Sequence, residues 1–223
     1  MVNKNLLTDL AKINDSLREE FAKHGELINF SKDNHPFDSE TTLDYFFIII
    51  SGKVKVYDIN FDTNREQTLY LLVKGDMYDV VTLLDNEYHD LAVEVLENGS
   101  AIKFSIVKVR EWMREYPHFE NLIYKQVSTQ MRNLESLVVD ISLKDTKERL
   151  LKLLLKNIEI FDKRGIEILK NLSHTEIANL IGTVRHVVER HLKDLKKEGL
   201  IEDKKNLLSI KKAKNFLKTL DTL

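Results

Sequence analysis

The sequence predicts an α+β chain of three successive parts: an N-terminal β-jelly-roll, one long helix, and a C-terminal winged helix-turn-helix. Three observations predict it. Short β-rich runs separated by turn signals fill residues 26–108, an apolar repeat at helical spacing follows Pro117, and a helix–turn–helix pattern with two trailing strands lies near the end of the chain. The parts are read as residues 1–116, 117–145 and 146–223.

Residues 1–24 read as a helix. Leu6, Leu7, Leu10, Ile13, Leu17 and Phe21 recur at helical spacing, and Gly25 follows. The β-rich runs are Tyr45–Ile50, Val54–Tyr57, Thr68–Val73, Leu91–Val95 and Ala101–Ser105. Between them stand Ser51-Gly52, Asp62-Thr63-Asn64, Lys74-Gly75-Asp76 and Asn98-Gly99, all turn formers. Asn98-Gly99 is expected to close a two-residue hairpin. Short strands at regular spacing predict a small barrel or roll.

After Pro117, six apolar residues, Ile123, Val127, Met131, Leu134, Val138 and Ile141, recur at spacings of 4, 4, 3, 4 and 3. This is an a/d seam that packs either against its own domain or against a twin, and its narrow width and polar flanks (Gln126, Gln130, Arg132, Asn133 and Glu135) favour pairing with a twin. The seam helix itself connects the two halves, since no Pro- or Gly-rich linker does. A further helix starts over Thr146–Asn157.

The net charge of −2 hides an asymmetry. Residues 147–223 hold 18 basic and 11 acidic side chains, leaving 16 basic and 25 acidic for the rest. A basic C-terminal third on an acidic body points to a polyanionic partner for that third. With no cysteine, the chain has no disulfide, thiolate zinc site or thiol nucleophile. It shows no leader pattern and no apolar run long enough for a membrane span. The expected place is therefore the bacterial cytoplasm, with no membrane partner. Neither a phosphate loop, a zinc motif nor a nucleophile elbow is present, so no enzyme is expected. Asp76, Asp79, Asp85 and Asp90 form an acidic group whose spacing matches no calcium loop; they read as exposed loop carboxylates, and no metal is expected.

The informative segment is Ser173–Ile201, SHTEIANLIGTVRHVVERHLKDLKKEGLI. Ser173 with Glu176 is a capping box. Ile177, Leu180 and Ile181 face a core, Ala178 is small where a second helix crosses, and Gly182 frees the backbone for a tight turn. The second helix, about residues 184–197, turns Val184, Val188, Leu192 and Leu195 inward. Gly199 closes it. Leu200–Ile201 and Leu207–Ile210 read as the two strands of a wing around Asp203-Lys204-Lys205-Asn206.

A recognition helix needs an apolar inner stripe and base-reading groups on its first outer turns. Arg185, His186, Glu189 and Arg190 lie there, with Thr183 and Lys193 beside them. Arginine bonds guanine O6 and N7 in bidentate fashion and glutamate accepts from cytosine N4. Ser173 and Thr175 at a helix N-terminus, and Lys204 and Lys205 on the wing, are the candidate phosphate contacts. A solvated helical hairpin, with Arg185 merely paired to Glu189 at i,i+4, is the competing account.

EIANLIGTVRHVVERHLKDLKKEGLI resembles the recognition segment of the Crp/Fnr regulators. YFFIIISGKVKVY followed by YLLVKGDMYD resembles their cyclic-nucleotide-binding-like jelly-roll, and the seam helix falls where the family dimerises. The resemblance spans nearly the whole chain. It implies a homodimeric transcription regulator on a palindromic operator of double-stranded DNA, with RNA polymerase as a further partner if the protein activates. Arg185 and Arg190 carry over as base or phosphate readers. His186 stands where relatives often have glutamate, and Val184 and Val187 where they often have hydroxyl side chains.

The same resemblance bears on the sensor. Relatives that bind cyclic nucleotides place a glutamate at the position of Val80 and an Arg-Ser or Arg-Thr pair at Asp90-Leu91. A carboxylate repels the cyclic phosphate that a guanidinium would hold, so cAMP and cGMP are not expected. The oxygen-sensing branch uses a cysteine-ligated iron–sulfur cluster, which a chain without cysteine cannot build. Haem-based sensing of nitric oxide or carbon monoxide is the alternative, with His24, His35, His89 and His118 as candidate axial ligands. An organic effector, or no ligand at all, are the remaining readings.

Overall fold

The computed structural model describes residues 15–38, 40–155, 169–204 and 207–210, with side chains described through Ile201. The predicted helical residues Leu6, Leu7, Leu10 and Ile13, the wing-tip Lys205 and Asn206, and the side chain of Lys204 lie outside them. The chain divides into two compact units: residues 1–58 with 69–133, and residues 59–68 with 134–223.

The first unit is a β-roll with helices packed on one face. Helix α1 spans Asp15–His24. Strands β1 (Glu26–Phe30), β2 (Tyr45–Asn60), β3 (Arg65–Leu72), β4 (Met77–Tyr78) and β5 (Ala92–Ser105) form one sheet in the order β1-β5-β2-β3, with β4 added to β2. Short helices α2 (Thr41–Asp44) and α3 (Val80–Asp85) are set between strands, and α4 (Ile106–Glu115) leads into α5 (Pro117–Leu143). The last residues of α5, from Leu134, belong to the second unit.

The apolar run Phe46–Ile50 is explained by burial on both faces of β2. Phe46, Ile48 and Ile50 enter a core with Leu17, Phe21, Phe104, Trp112 and Phe119, beneath the helices. Phe47, Ile49, Val54 and Val56 enter the interior of the roll with Phe30, Phe37, Leu72 and Tyr78. A strand covered on both sides reads as a continuous apolar run, whereas a half-covered one alternates.

Two turn expectations are corrected. Ser51-Gly52 and Asn98-Gly99 lie inside β2 and β5, which run through them without reversal. The two sites face each other, and the ladder shifts register between Ile49/Ser51, Ser51/Lys53 and Lys53/Val54. A Cβ on Gly99 would lie 2.0 Å from the Ser51 carbonyl oxygen, and Gly52 has φ +88°. The glycines therefore permit a close backbone approach at paired bulges that bend the sheet. The Gly75 turn stands as expected, with φ +85° and Asp76 N–H donating to the Val73 carbonyl at 2.9 Å. Helices α3 and α4 fall on stretches to which the sequence reading assigned neither a strand run nor a turn.

The acidic group is also corrected in part. Asp85 is exposed, but Asp76 is buried and accepts from Val73 N–H at 3.0 Å. Asp79 is buried as the N-cap of α3, with only 3% of its side chain exposed. Among the described residues, no group of three or more histidine, cysteine, aspartate or glutamate side chains is arranged to hold a metal ion. No described helix is long and apolar enough to cross a membrane.

The second unit carries α6 (Thr146–Leu155), α7 (His174–Leu180), α8 (Arg185–Lys197) and a hairpin of β6 (Ile201–Lys204) and β7 (Leu207–Ile210). Leu150, Leu151 and Leu154 of α6 meet Ile177 and Ala178 of α7 and Val188, Leu192 and Leu195 of α8 in one buried cluster. Residues 59–68 join this unit, and Asn179 bonds both Glu66 (2.8 Å) and Gln67 (3.0 Å).

Candidate functional site

The candidate nucleic-acid interface lies on α7 and α8. Ser173 caps α7: its Oγ accepts from Glu176 N–H at 3.2 Å, and the Glu176 carboxylate accepts from Ser173 N–H, closing the expected capping box. Ala178 is 1% exposed at the crossing with α8, where a larger side chain would force the helices apart. Gly182 turns the chain at φ +66°, a left-handed conformation that costs a residue with Cβ. Ser173→Ala is expected to cost about 0.5–2 kcal/mol of stability, measurable as a lower urea midpoint with the slope unchanged.

Helix α8 turns Val188, Leu192 and Leu195 into the core. Val184 departs from the predicted inner stripe. It is the N-cap, in extended conformation and 39% exposed, because the helix begins only at Arg185. On the outer face, Arg185, His186, Arg190 and Lys193 are exposed, Thr175 is exposed on α7, and Thr183 is half-buried in the turn.

Arg185 Nε donates to Glu189 Oε1 at 2.7 Å, so the pair named as the competing account is present in the DNA-free chain. His174, which sequence reasoning missed, approaches the same oxygen through Nδ1 at 3.4 Å. The Arg185 bond, then His174, hold the Glu189 carboxyl below its usual range. Exposed pairs of this kind are cheap to break, so the arginine remains available to a better acceptor. The signal for His174 was its position directly after the N-cap of the helix that precedes the recognition helix.

The wing differs in register. Asp203 and Lys204, read as loop, pair with Leu208 and Leu207, so the first strand runs Ile201–Lys204. Leu200 precedes the strand and is buried in the core.

The predicted seam on α5 divides by environment. Ile123 is 0% exposed within its own unit's core, which corrects its assignment to the pairing seam, and Val127 is half-buried against that core. Leu134 is half-buried, while Met131, Val138 and Ile141 are 61%, 63% and 42% exposed.

The first unit also holds a small cavity, partly open to solvent. Its polar lining is Tyr70, Tyr78, Asp79, His89 and Gln130. Asp79 Oδ1 lies 3.0 Å from His89 Nδ1 and accepts from Thr82 N–H at 3.4 Å. Burial alone would raise the Asp79 carboxyl, but hydrogen bonds from His89, Thr82 and Thr42 outweigh it and set it below the usual range. The bond to Asp79 raises the His89 imidazole against the opposing effect of burial. Burial first, and Asp79's charge second, raise both phenols. Of the four candidate histidines, only His89 lines this cavity. His24 pairs with Glu20 at 3.5 Å, His35 stacks on Phe37 and His118 is exposed. Of the positions aligned with nucleotide contacts, Val80 and Leu91 both line the cavity, whereas Asp90 is exposed.

A β-roll with a lined cavity, and a capped helix–turn–helix with a wing, together define a two-part class: DNA-binding transcription regulators that carry a sensor-type domain. Residues 27–116 match the cyclic nucleotide-binding domain family and residues 148–216 the Crp-like helix-turn-helix domain family. The chain belongs to the Crp/Fnr superfamily.

It is 28% identical over 174 residues to the "Global nitrogen regulator" of Nostoc sp., across 74% of this chain and 76% of that protein. It is 25% identical over 187 residues to the "CRP-like cAMP-activated global transcriptional regulator" of Mycobacterium tuberculosis, across 82% of this chain and 83% of that one. Among solved structures, a CooA mutant from Carboxydothermus hydrogenoformans superposes with a TM-score of 0.75 at 21% identity, covering 96% of this chain and 95% of that one. FixK2 from Bradyrhizobium japonicum gives 0.73 at 16% identity, covering 87% of this chain and 96% of its own. At these identities the structural likeness establishes the fold alone.

Proposed function

We propose that this chain is a homodimeric, sequence-specific regulator that lays α8 in the major groove of each half of a palindromic operator. The observation that carries the reading is the outer face of the first turns of α8. There Arg185, His186, Glu189 and Arg190 stand together above the buried stripe of Val188, Leu192 and Leu195. Such a face supplies donors for guanine and an acceptor for cytosine. The test is fluorescence anisotropy with selected genomic fragments over a salt series. Groove binding by a basic module gives a log–log slope of about −0.9 per phosphate neutralised, whereas salt-insensitive association would overturn the reading.

The two-fold arrangement rests on α5. Met131 and Val138 are both more than half exposed, and Ile141 and Leu143 continue the apolar exposure at 42% and 80%. A twin helix laid on this stripe covers it, and half-sites about one helical turn apart follow from the symmetry. Met131→Asp combined with Val138→Asp is expected to halve the mass seen by analytical ultracentrifugation and weaken operator binding at least about 100-fold through lost avidity. A folded double variant that stays dimeric would place the interface elsewhere.

The sensor is read as independent of cyclic nucleotides. Among the described residues no arginine or lysine lines the cavity to meet a cyclic phosphate, and the aligned positions hold Val80, Asp90 and Leu91. A chain with no cysteine also has no thiolate set for an iron–sulfur cluster.

A further inference from the structure

The cavity of the first unit has a consistent chemistry. Its one carboxylate, Asp79, is more than nine-tenths buried. It is held at φ +55°, a left-handed conformation that a non-glycine residue keeps only where its surroundings enforce it. Two phenols, Tyr70 and Tyr78, stand on the same wall system, and Leu72, Met77 and Leu91 supply apolar surface. Among the described residues, the single basic group in the lining is His89, already engaged by Asp79. Asp38 and Asp85 add negative charge near Tyr78 and His89 respectively. The charge effects on Tyr70, Tyr78 and His89 all come from carboxylates, and the one positive charge felt by Asp79 there is that of His89. An anionic ligand entering here meets a buried carboxylate with no guanidinium or ammonium in the lining. A cation meets a countercharge and the faces of aromatic rings.

We propose that this cavity binds a small organic cation, a protonated amine on a compact apolar body, with Asp79 as its countercharge and Tyr70 and Tyr78 as its aromatic walls. The amine takes over from His89 as the partner of Asp79. Gln130, beside Met131 on α5, bonds the other side of the ligand, so occupancy is felt on the helix that carries the exposed stripe.

The pH dependence follows with a definite sign. His89, raised by its bond to Asp79, competes with the ligand while it is protonated. Amine affinity should therefore rise with pH through the imidazole range, between about pH 6 and about pH 8, and binding should release a proton.

The experiment is isothermal titration calorimetry on the full chain without DNA, using butylamine, cyclohexylamine and phenethylamine against pentanoate, cyclohexanecarboxylate and phenylpropionate. At least one amine is expected to bind and its matched carboxylate not. Asp79→Asn, which keeps a capping side chain, should weaken the amine by about tenfold or more. His89→Gln should keep amine binding but flatten its pH dependence and abolish proton release. Equal binding of amines and carboxylates, no heat from any amine, or an unchanged affinity in Asp79→Asn would each overturn the proposal. The titration involves no operator, so its failure leaves the DNA-binding reading untouched.

Discussion

Arg190→Ala and Arg185→Ala are each expected to lower operator affinity by about 1–3 kcal/mol, and the double variant to leave only salt-driven, sequence-independent binding. Both side chains are exposed on the first outer turns of α8, where a docked helix meets base edges. They start from different states. Arg185 is held by Glu189 in the free chain and must exchange that carboxylate for DNA. Being solvent-exposed, the pair offers little resistance to the exchange. Arg185→Lys should recover only part of the loss, since an ammonium cannot reproduce a bidentate guanidinium fork. Anisotropy on operators altered one base pair at a time separates the roles. A base reader relaxes specificity at one position, whereas a phosphate contact weakens all sequences alike and reduces the salt slope by about one. If both alanine variants bind the operator as the unsubstituted chain does, α8 is not in the groove.

Trp112→Ala should be the most destabilising single change in the first unit, costing about 3–5 kcal/mol. The indole is 0% exposed, with ring centroids 4.8 Å from Phe21 and 5.4 Å from Phe104. Its Nε1 donates to Glu20 at 3.3 Å, which holds that carboxyl below its usual range. Truncation leaves a cavity among rigid rings that cannot collapse to fill it, and strips α1, α4 and the sheet of their shared contact. Trp112→Phe, which keeps a ring and loses only the bond and some volume, should cost markedly less. Urea denaturation followed by circular dichroism measures both. The unfolding of the second unit, whose core of Leu150, Ile177, Val188 and Leu192 does not include this residue, should be unaffected. Equal stability of Trp112→Ala and the parent would mean that the aromatic cluster does not organise the sensor.

Periodicity carried the reading furthest where one element buries one face. The spacing of Val188, Leu192 and Leu195, the capping box at Ser173 and the turn at Gly182 are local rules, and the structure follows each of them. Local rules misled where a residue type serves two ends. Asn98-Gly99 has the composition of a hairpin, yet here Gly99 is needed for contact with a strand distant in sequence. Val184 fits the apolar repeat, but the helix begins one residue later and leaves it exposed. Ile123 fits a pairing seam, but α4 and α1 lie against it and use it as core.

The sequence by itself determined the order of the parts, the recognition helix and its outward arginines, and the absence of cysteine chemistry. These depend on composition and on spacings within one helix, which a linear chain displays directly. Only the tertiary structure decided that Asp79, ten residues from His89, is a buried carboxylate bonded to it, and that Tyr70, Tyr78 and Gln130 join the pair around one cavity. It also decided that His174 shares Glu189 with Arg185. The physical reason is the same in each case. A side chain's charge state and partners are set by what folding brings beside it and by how much water is excluded there, and neither quantity is written in the order of residues along the chain.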